Sequence, residues 1–280
     1  MEVKEVEATR ILNPTSIDLG EYVINPYKGC AFACLYCYAR FSKAISRDER
    51  KWGEYLDARV NAPRLLEKEL KIKKPTRVLL GSTTDCFQEE ELKRGLTKEI
   101  LEILNSHGVY YSILTRSPFI ISYLDILKKG YCETIYFTVN NYDLKLKSIL
   151  EPKSPSFEAR EKVVTCLLDN DIPVIPSFSP VFPFISKVSG IFEKFEKARA
   201  VNFEGLNFNL GNIAEIVTKI EPLYPKEAGI YKRMIEDKKF YDDVWYETRR
   251  VIMREGIKNK KRCDVYIHEL YGYFGNKYRT

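Results

Sequence analysis

The chain has 280 residues, 45% of them hydrophobic and 30% charged, with a formal net charge of +6. That length suits one large α/β domain or two small ones, and the composition is that of a water-soluble globular protein. The longest apolar runs, such as Val78-Leu79-Leu80, fall far short of the ~20 residues a membrane helix needs, and seven cysteines, an odd number, argue against a disulfide framework.

Short β-prone runs alternate with helical patterns, which predicts a parallel sheet with crossover helices. The first strand is expected at residues 22–25, directly before a cysteine-rich loop. An amphipathic helix over 63–71 leads to a second strand at 77–80. The clearest helix covers 90–105, with Leu92, Leu96, Ile100, Ile103 and Leu104 on one face. A third strand follows at 110–114, and Ser117-Pro118 reads as N-cap and first position of a helix running to about Lys129. The fourth strand is expected at 134–139. Ser154-Pro155 opens the next helix, with Phe157, Val164 and Leu168 inward. The fifth strand is placed at 173–178, a helix at 187–199 and the sixth strand at 205–209.

Six strand–helix units in series predict an α/β fold, a partial (β/α)6 TIM-like barrel. Working residues in such a fold sit at the C-terminal ends of strands. The core domain is expected over residues 1–211. Residues 212–280 read as a C-terminal extension packed on it, with helices at 225–237 and 241–255, a basic segment at 258–262 and an aromatic tail that includes Tyr271, Tyr273 and Phe274.

The loop after the first strand carries Cys30, Cys34 and Cys37 in a C-x3-C-x2-C spacing. A closed structural zinc site needs four protein ligands, and an ordinary [4Fe-4S] cluster takes four thiolates. Three thiolates would leave one iron open to bind and polarise a small molecule. Zinc is the other reading of the spacing, with His107 or His268 as fourth ligand. Cys132 and Cys166 read as buried apolar residues.

Cys30, Cys34 and Cys37, with the aromatic Tyr36 before the last cysteine, resemble the signature of the radical SAM superfamily. Asn25-Pro26-Tyr27-Lys28-Gly29-Cys30, Tyr36-Cys37-Tyr38-Ala39-Arg40, Gly81-Ser82-Thr83-Thr84-Asp85, Leu114-Thr115-Arg116-Ser117, Thr138-Val139-Asn140, Leu150-Glu151-Pro152 and Ser179-Pro180-Val181-Phe182-Pro183 are similar to its spore photoproduct lyase-like branch. The resemblance implies a [4Fe-4S] cluster on the three cysteines. It implies S-adenosylmethionine (SAM) chelated at the open iron and cleaved by one electron to a 5′-deoxyadenosyl radical. Tyr36 would pack on the adenine. Ser82, Thr83, Thr84 and Asp85 would offer acceptors to the methionine amine, and Arg116 would hold the carboxylate. Thr138 and Asn140 would touch the ribose, and Ser177 and Ser179 would contact SAM or substrate. The expected electron donor is of the flavodoxin or ferredoxin type.

Two residues are candidates for the chemistry that follows. Tyr38 matches a tyrosine proposed as a radical relay in the lyase. The lyase also uses a cysteine three residues before its second-strand Asp to return a hydrogen atom, and here that position is Ser82. Cys86 has three readings: a relocated hydrogen donor, a group for other chemistry, or a packing residue. Damaged DNA or another nucleic acid is the first substrate class expected, from the resemblance and the basic runs at 71–74 and 258–262. A peptide or small metabolite is the second. The N-terminus is charged and lacks a signal-peptide core, so a cytoplasmic enzyme is the expectation.

Overall fold

The computed structural model describes residues 1–43 and 45–270. In chain order the elements are β1 (Glu2–Val6), β2 (Asn13–Pro14), β3 (Tyr22–Ile24), β4 (Tyr27–Lys28), β5 (Tyr55–Arg59), α1 (Ala62–Lys73) and β6 (Arg77–Leu80). Then come α2 (Glu91–Arg94), α3 (Leu96–Ser106), β7 (Tyr110–Thr115), a 3-10 turn at Pro118–Tyr123, α4 (Leu124–Leu127), β8 (Cys132–Thr138), α5 (Leu144–Leu150) and α6 (Phe157–Asp169). The rest are β9 (Val174–Val181), α7 (Ile191–Lys194), β10 (Ala200–Gly205), α8 (Ile213–Ile220), α9 (Pro225–Glu236), α10 (Lys238–Lys258) and β11 (Arg262–Tyr266). Among the described residues no helix is long and apolar enough to cross a membrane.

Two compact units interleave along the chain. The first comprises Met1–Ala33, Ser42–Thr138 and Ser154–Ile175; the second comprises Cys34–Phe41, Val139–Lys153 and the chain from Pro176 onward. In the first unit β3, β6, β7 and β8 pair side by side and parallel, with β2 antiparallel at the β3 edge. Val78, Leu79 and Leu80 are wholly buried, as expected of a parallel strand covered on both faces. The N-terminus of α3 is capped by Glu91, whose carboxylate accepts from the Thr97 and Lys98 amides. In the second unit β9, β10 and β11 run parallel. There α10 is capped by Asp237, which accepts from the Phe240 amide at 3.0 Å.

The α/β class and five of the six parallel strands stand where the hydrophobic pattern put them. The sixth does not: β10 occupies Ala200–Gly205, ahead of the predicted 205–209. The long helix over 90–105 is broken by Gly95, at φ +66, into α2 and α3. Only Ile191–Lys194 of the helix expected over 187–199 forms. The helix signalled by Ser154-Pro155 starts at Phe157, capped by Ser156. The basic segment at 258–262 runs from the end of α10 into β11. The expected aromatic tail at Tyr271–Phe274 lies outside the described residues.

A second sheet in the first unit, β1–β5–β4, braces the approach to the cysteine loop. Its charged core is Arg50, which grips Asp57 of β5 with two bonds of 2.8 and 2.7 Å and Asp48 with two of 2.8 Å, its guanidinium 4.0 Å from the Tyr55 ring. Lys28 of β4 adds a 2.6 Å bond to Asp48. Hydrogen bonds from Arg50 and then from Lys28 hold the Asp48 carboxyl well below the usual carboxylate range. A carboxyl whose folded pKa is depressed stabilises the fold above its unfolded pKa, and that stability is lost as pH falls through the folded value. The melting temperature is therefore expected to fall on acidification below about pH 4. In a D48N variant the fall should be shallower, as read by thermal melts across the acid range.

Candidate functional site

The chain arriving from β3 turns into the cysteine stretch at Gly29. Its φ is +89, and a Cβ there would lie 2.4 Å from the Tyr55 carbonyl, so only glycine fits. Asn25, just past β3, reaches the segment after β6: its Nδ2 donates to Ser82 Oγ at 3.1 Å, and its Oδ1 accepts from the Thr83 amide at 3.0 Å. Thr84 donates to the Gly29 carbonyl at 2.5 Å. Gln88 accepts from the Ala31 amide at 2.8 Å and donates to Thr84 and to the Asp85 carbonyl. The first part of the cysteine stretch is thus stapled to the end of the second parallel strand. Sequence reasoning missed Gln88, and Asn25 entered only as part of a resembling block.

Asp85 joins the ends of two strands. Its carboxylate accepts from the Thr115 hydroxyl at 2.9 Å, the Arg116 amide at 2.9 Å and the Phe87 amide at 2.9 Å. Burial pushes its pKa up, against the pull of these bonds. Arg116, half-buried at the end of β7, therefore has its backbone pinned by Asp85. Thr138 ends β8 half-buried. Cys86 is wholly buried, and that burial raises its thiol pKa well above the ordinary value.

In the second unit the stretch continues through Leu35. Its amide donates to the Leu150 carbonyl at 2.8 Å, and its own carbonyl accepts from Arg40 at 2.9 Å and from Asn212. Tyr36 donates to Glu151 Oε1 at 2.5 Å and sets its ring edge-on to Phe182, centroids 6.2 Å apart. Asn140 donates to the same Glu151 oxygen at 2.7 Å, and its Oδ1 accepts from the Ser179 amide at 2.9 Å. Tyr36 and Asn140, both expected at SAM, are brought together. Ser177 is not joined to them: its hydroxyl accepts from Asn202 at 2.7 Å.

Tyr38 is 45% exposed. Desolvation of the hydroxyl, then the charges of Cys37 and Glu204, push its phenol pKa up. Glu204 binds Ser179 Oγ at 2.6 Å and His268 Nε2 at 3.2 Å. Burial opposes ionisation there, but the bonds from His268 and Ser179 hold the carboxyl below its ordinary range.

The donors in the cysteine stretch are all sulfur. Cys30 and Cys34 are buried, Cys37 is half-buried, none forms a disulfide, and residues 29–40 hold no acid or histidine. That set suits an iron–sulfur cluster with one iron lacking a protein ligand. Among the described residues no group of three or more His, Cys, Asp and Glu side chains is drawn together as a ready metal site. The histidines of the zinc reading are engaged elsewhere: His107 Nδ1 faces the Ile103 carbonyl at an exposed helix end, and His268 faces Glu204.

The chain is 32% identical over 246 residues to uncharacterized protein MJ0683 of Methanocaldococcus jannaschii, covering 87% of this chain and 92% of that one. Its fold is similar to that of spore photoproduct lyase complexed with dinucleoside spore photoproduct, with a TM-score of 0.64 at 18% identity, over 95% of this chain and 82% of the other. Streptococcus suis SuiB bound to precursor peptide SuiA is a more distant match, with a TM-score of 0.54 at 14% identity, over 89% of this chain and 48% of SuiB. The α/β partial-barrel class expected from the strand–helix repeat is thus the fold shared with the lyase. The Radical SAM superfamily model matches residues 24–188, from the end of β3 through β9. With the three-cysteine stretch inside that match, the chain belongs to the Radical SAM superfamily.

Proposed function

We propose that the protein binds one [4Fe-4S] cluster through Cys30, Cys34 and Cys37 and cleaves SAM reductively, acting in the cytoplasm with a flavodoxin- or ferredoxin-type donor. The observation that carries this reading is an all-sulfur donor set on a chain whose backbone is held at Gly29 and Ala31 by Thr84 and Gln88, and at Leu35 by Leu150 and Asn212. When bound, the cluster supplies the electron that opens the SAM sulfonium and gives a 5′-deoxyadenosyl radical. Arg116, its backbone held by Asp85, offers a guanidinium to the SAM carboxylate. Tyr36 would offer its ring to the adenine, Thr138 and Asn140 are assigned to the ribose, and Ser177 to a SAM or substrate contact. Anaerobic reconstitution should give iron and sulfide near ~4 each per chain. Dithionite and SAM should then release 5′-deoxyadenosine. Cluster-loaded protein that releases none refutes the reading.

For the substrate, a nucleic acid is the first reading. It is supported by the lyase fold, by the net charge of +6 and by the exposed Lys71, Lys74, Lys258, Lys260 and Arg262. A peptide is the second, favoured by one observation. The charge of Glu204, a carboxylate paired with His268 and Ser179, contributes to raising the Tyr38 phenol pKa. A carboxylate there accepts N–H donors and repels phosphate. Fluorescence polarisation with duplex and lesion-bearing oligonucleotides separates the two. Salt-sensitive binding below micromolar supports nucleic acid, and its absence at low salt supports the peptide.

A further inference from the structure

Glu151 is wholly buried and belongs to no role assigned so far. It follows the last turn of α5, its amide bonded to the Lys147 carbonyl at 2.7 Å. One oxygen, Oε1, accepts from Tyr36 at 2.5 Å, from Asn140 Nδ2 at 2.7 Å and from the Tyr142 hydroxyl. A carboxylate taken wholly out of water is tolerated only when such donors surround it. The donors come from separate stretches of chain: the cysteine stretch, the end of β8 and the loop after it. Phe182 closes the group, with ring centroids 6.2 Å from Tyr36 and 5.7 Å from Tyr142.

The consequence falls on Tyr36 and Asn140. A phenol tethered to a fixed acceptor holds its ring in one orientation. Asn140 sits at φ +46, an uncommon conformation for a residue other than glycine. Its amide nitrogen is directed at Glu151 and at the Tyr36 hydroxyl, the latter at 3.2 Å. Its oxygen already takes the Ser179 amide at 2.9 Å. What remains for a ligand is a lone pair on that oxygen, which suits a hydroxyl donor and no acceptor.

We infer that Glu151 is a positioning residue for SAM: it orients Tyr36 and Asn140 together, so that ring and amide oxygen meet the nucleoside in one geometry. This rests on the SAM-binding reading above. Glu151 touches neither cluster nor SAM in this account and acts through the two side chains it holds.

The test is an E151Q variant, which keeps the shape and one carbonyl acceptor but brings an NH2 group against donors. Iron and sulfide loading should match the parent, because no cysteine is altered. SAM affinity of the loaded protein, by anaerobic equilibrium dialysis, should fall about tenfold. In metal-free protein the tyrosine absorption band should shift to the blue, since two phenols lose a carboxylate acceptor. The E151Q/N140A double variant should bind SAM no more weakly than the weaker single variant, the signature of one shared arrangement. A Y142F variant, which keeps both positioned residues bonded, should stay near the parent. An E151Q protein with lowered melting temperature but unchanged SAM affinity would reduce Glu151 to a stabilising group and overturn the inference. An unchanged tyrosine band would overturn it as well. If the loaded parent itself binds no SAM, the SAM-binding reading fails, and the inference falls with it whatever the tyrosine band does.

Discussion

A Cys34→Ala variant is expected to lose its iron–sulfur cluster and, with it, all reductive cleavage of SAM. The reason is arithmetic of ligands: with one thiolate gone, two remain on the stretch, and residues 29–40 hold no acid or histidine to replace it. The fold should survive. Cys34 is a small buried side chain in a segment held by other bonds, those of Leu35 to Leu150, Arg40 and Asn212. The far-ultraviolet circular dichroism of the variant should match the parent, while iron per chain falls to background and 5′-deoxyadenosine disappears. Cys86→Ala is the control with the opposite expectation. Cys86 is wholly buried with its thiol pKa raised, the state of a packing cysteine and not of a metal-binding thiolate. Its removal should leave iron content unchanged and lower stability by ~1 kcal/mol. Full iron in C34A, or lost iron in C86A, would overturn the ligand assignment.

The cysteine stretch and the strands around it were legible because their signals are local. Three thiols in eight residues need no tertiary context, and Arg77–Leu80 reads as a strand from its apolar run alone. The sixth strand was misplaced because two runs compete. Ala200-Val201-Asn202-Phe203-Glu204 and Gly205-Leu206-Asn207-Phe208-Asn209 both alternate apolar with polar. Packing decides between them: a Cβ on Gly205 would lie 2.7 Å from the Trp245 ring, and β10 ends there. The edge strand Glu2-Val3-Lys4-Glu5-Val6 was illegible because it is mostly charged and exposed; its pairing with β5 comes from a distant partner. The same holds within the site. Asp85 and Asn140 were identifiable by motif, but what their side chains hold was not. Two of the three partners of Asp85 lie about thirty residues on, and Glu151 is 115 residues from Tyr36. A buried carboxylate looks in sequence like any surface acid until its donors are located.

Asp85 is where that distinction carries the largest expected loss of stability. Its carboxylate is the common acceptor for the Phe87 amide, the Thr115 hydroxyl and the Arg116 amide, all from the ends of β6 and β7. An Asp85→Ala change leaves these donors facing a cavity. Each buried donor without an acceptor costs about 1–3 kcal/mol, so for three donors a total of roughly 3–9 kcal/mol is expected. That is a large share of the ~5–15 kcal/mol by which folded proteins exceed the unfolded state. Asp85→Asn should not restore the parent. Oδ1 faces the Phe87 amide and Oδ2 faces the Arg116 amide, so in either flip the new NH2 meets a backbone N–H. Thr115→Val removes only one donor from the carboxylate, although the Ser117 amide also loses its 3.0 Å bond to the Thr115 hydroxyl. The expected order of destabilisation is therefore T115V, then D85N, then D85A, read from urea unfolding midpoints. The order matters for function because the Arg116 backbone is pinned by the same carboxylate. Loss of SAM affinity should follow the same ranking in protein loaded under conditions where each variant is folded. If D85N unfolded at the parent midpoint, the two backbone amides could not be bonded to that side chain, and the proposed placement of Arg116 would lose its anchor.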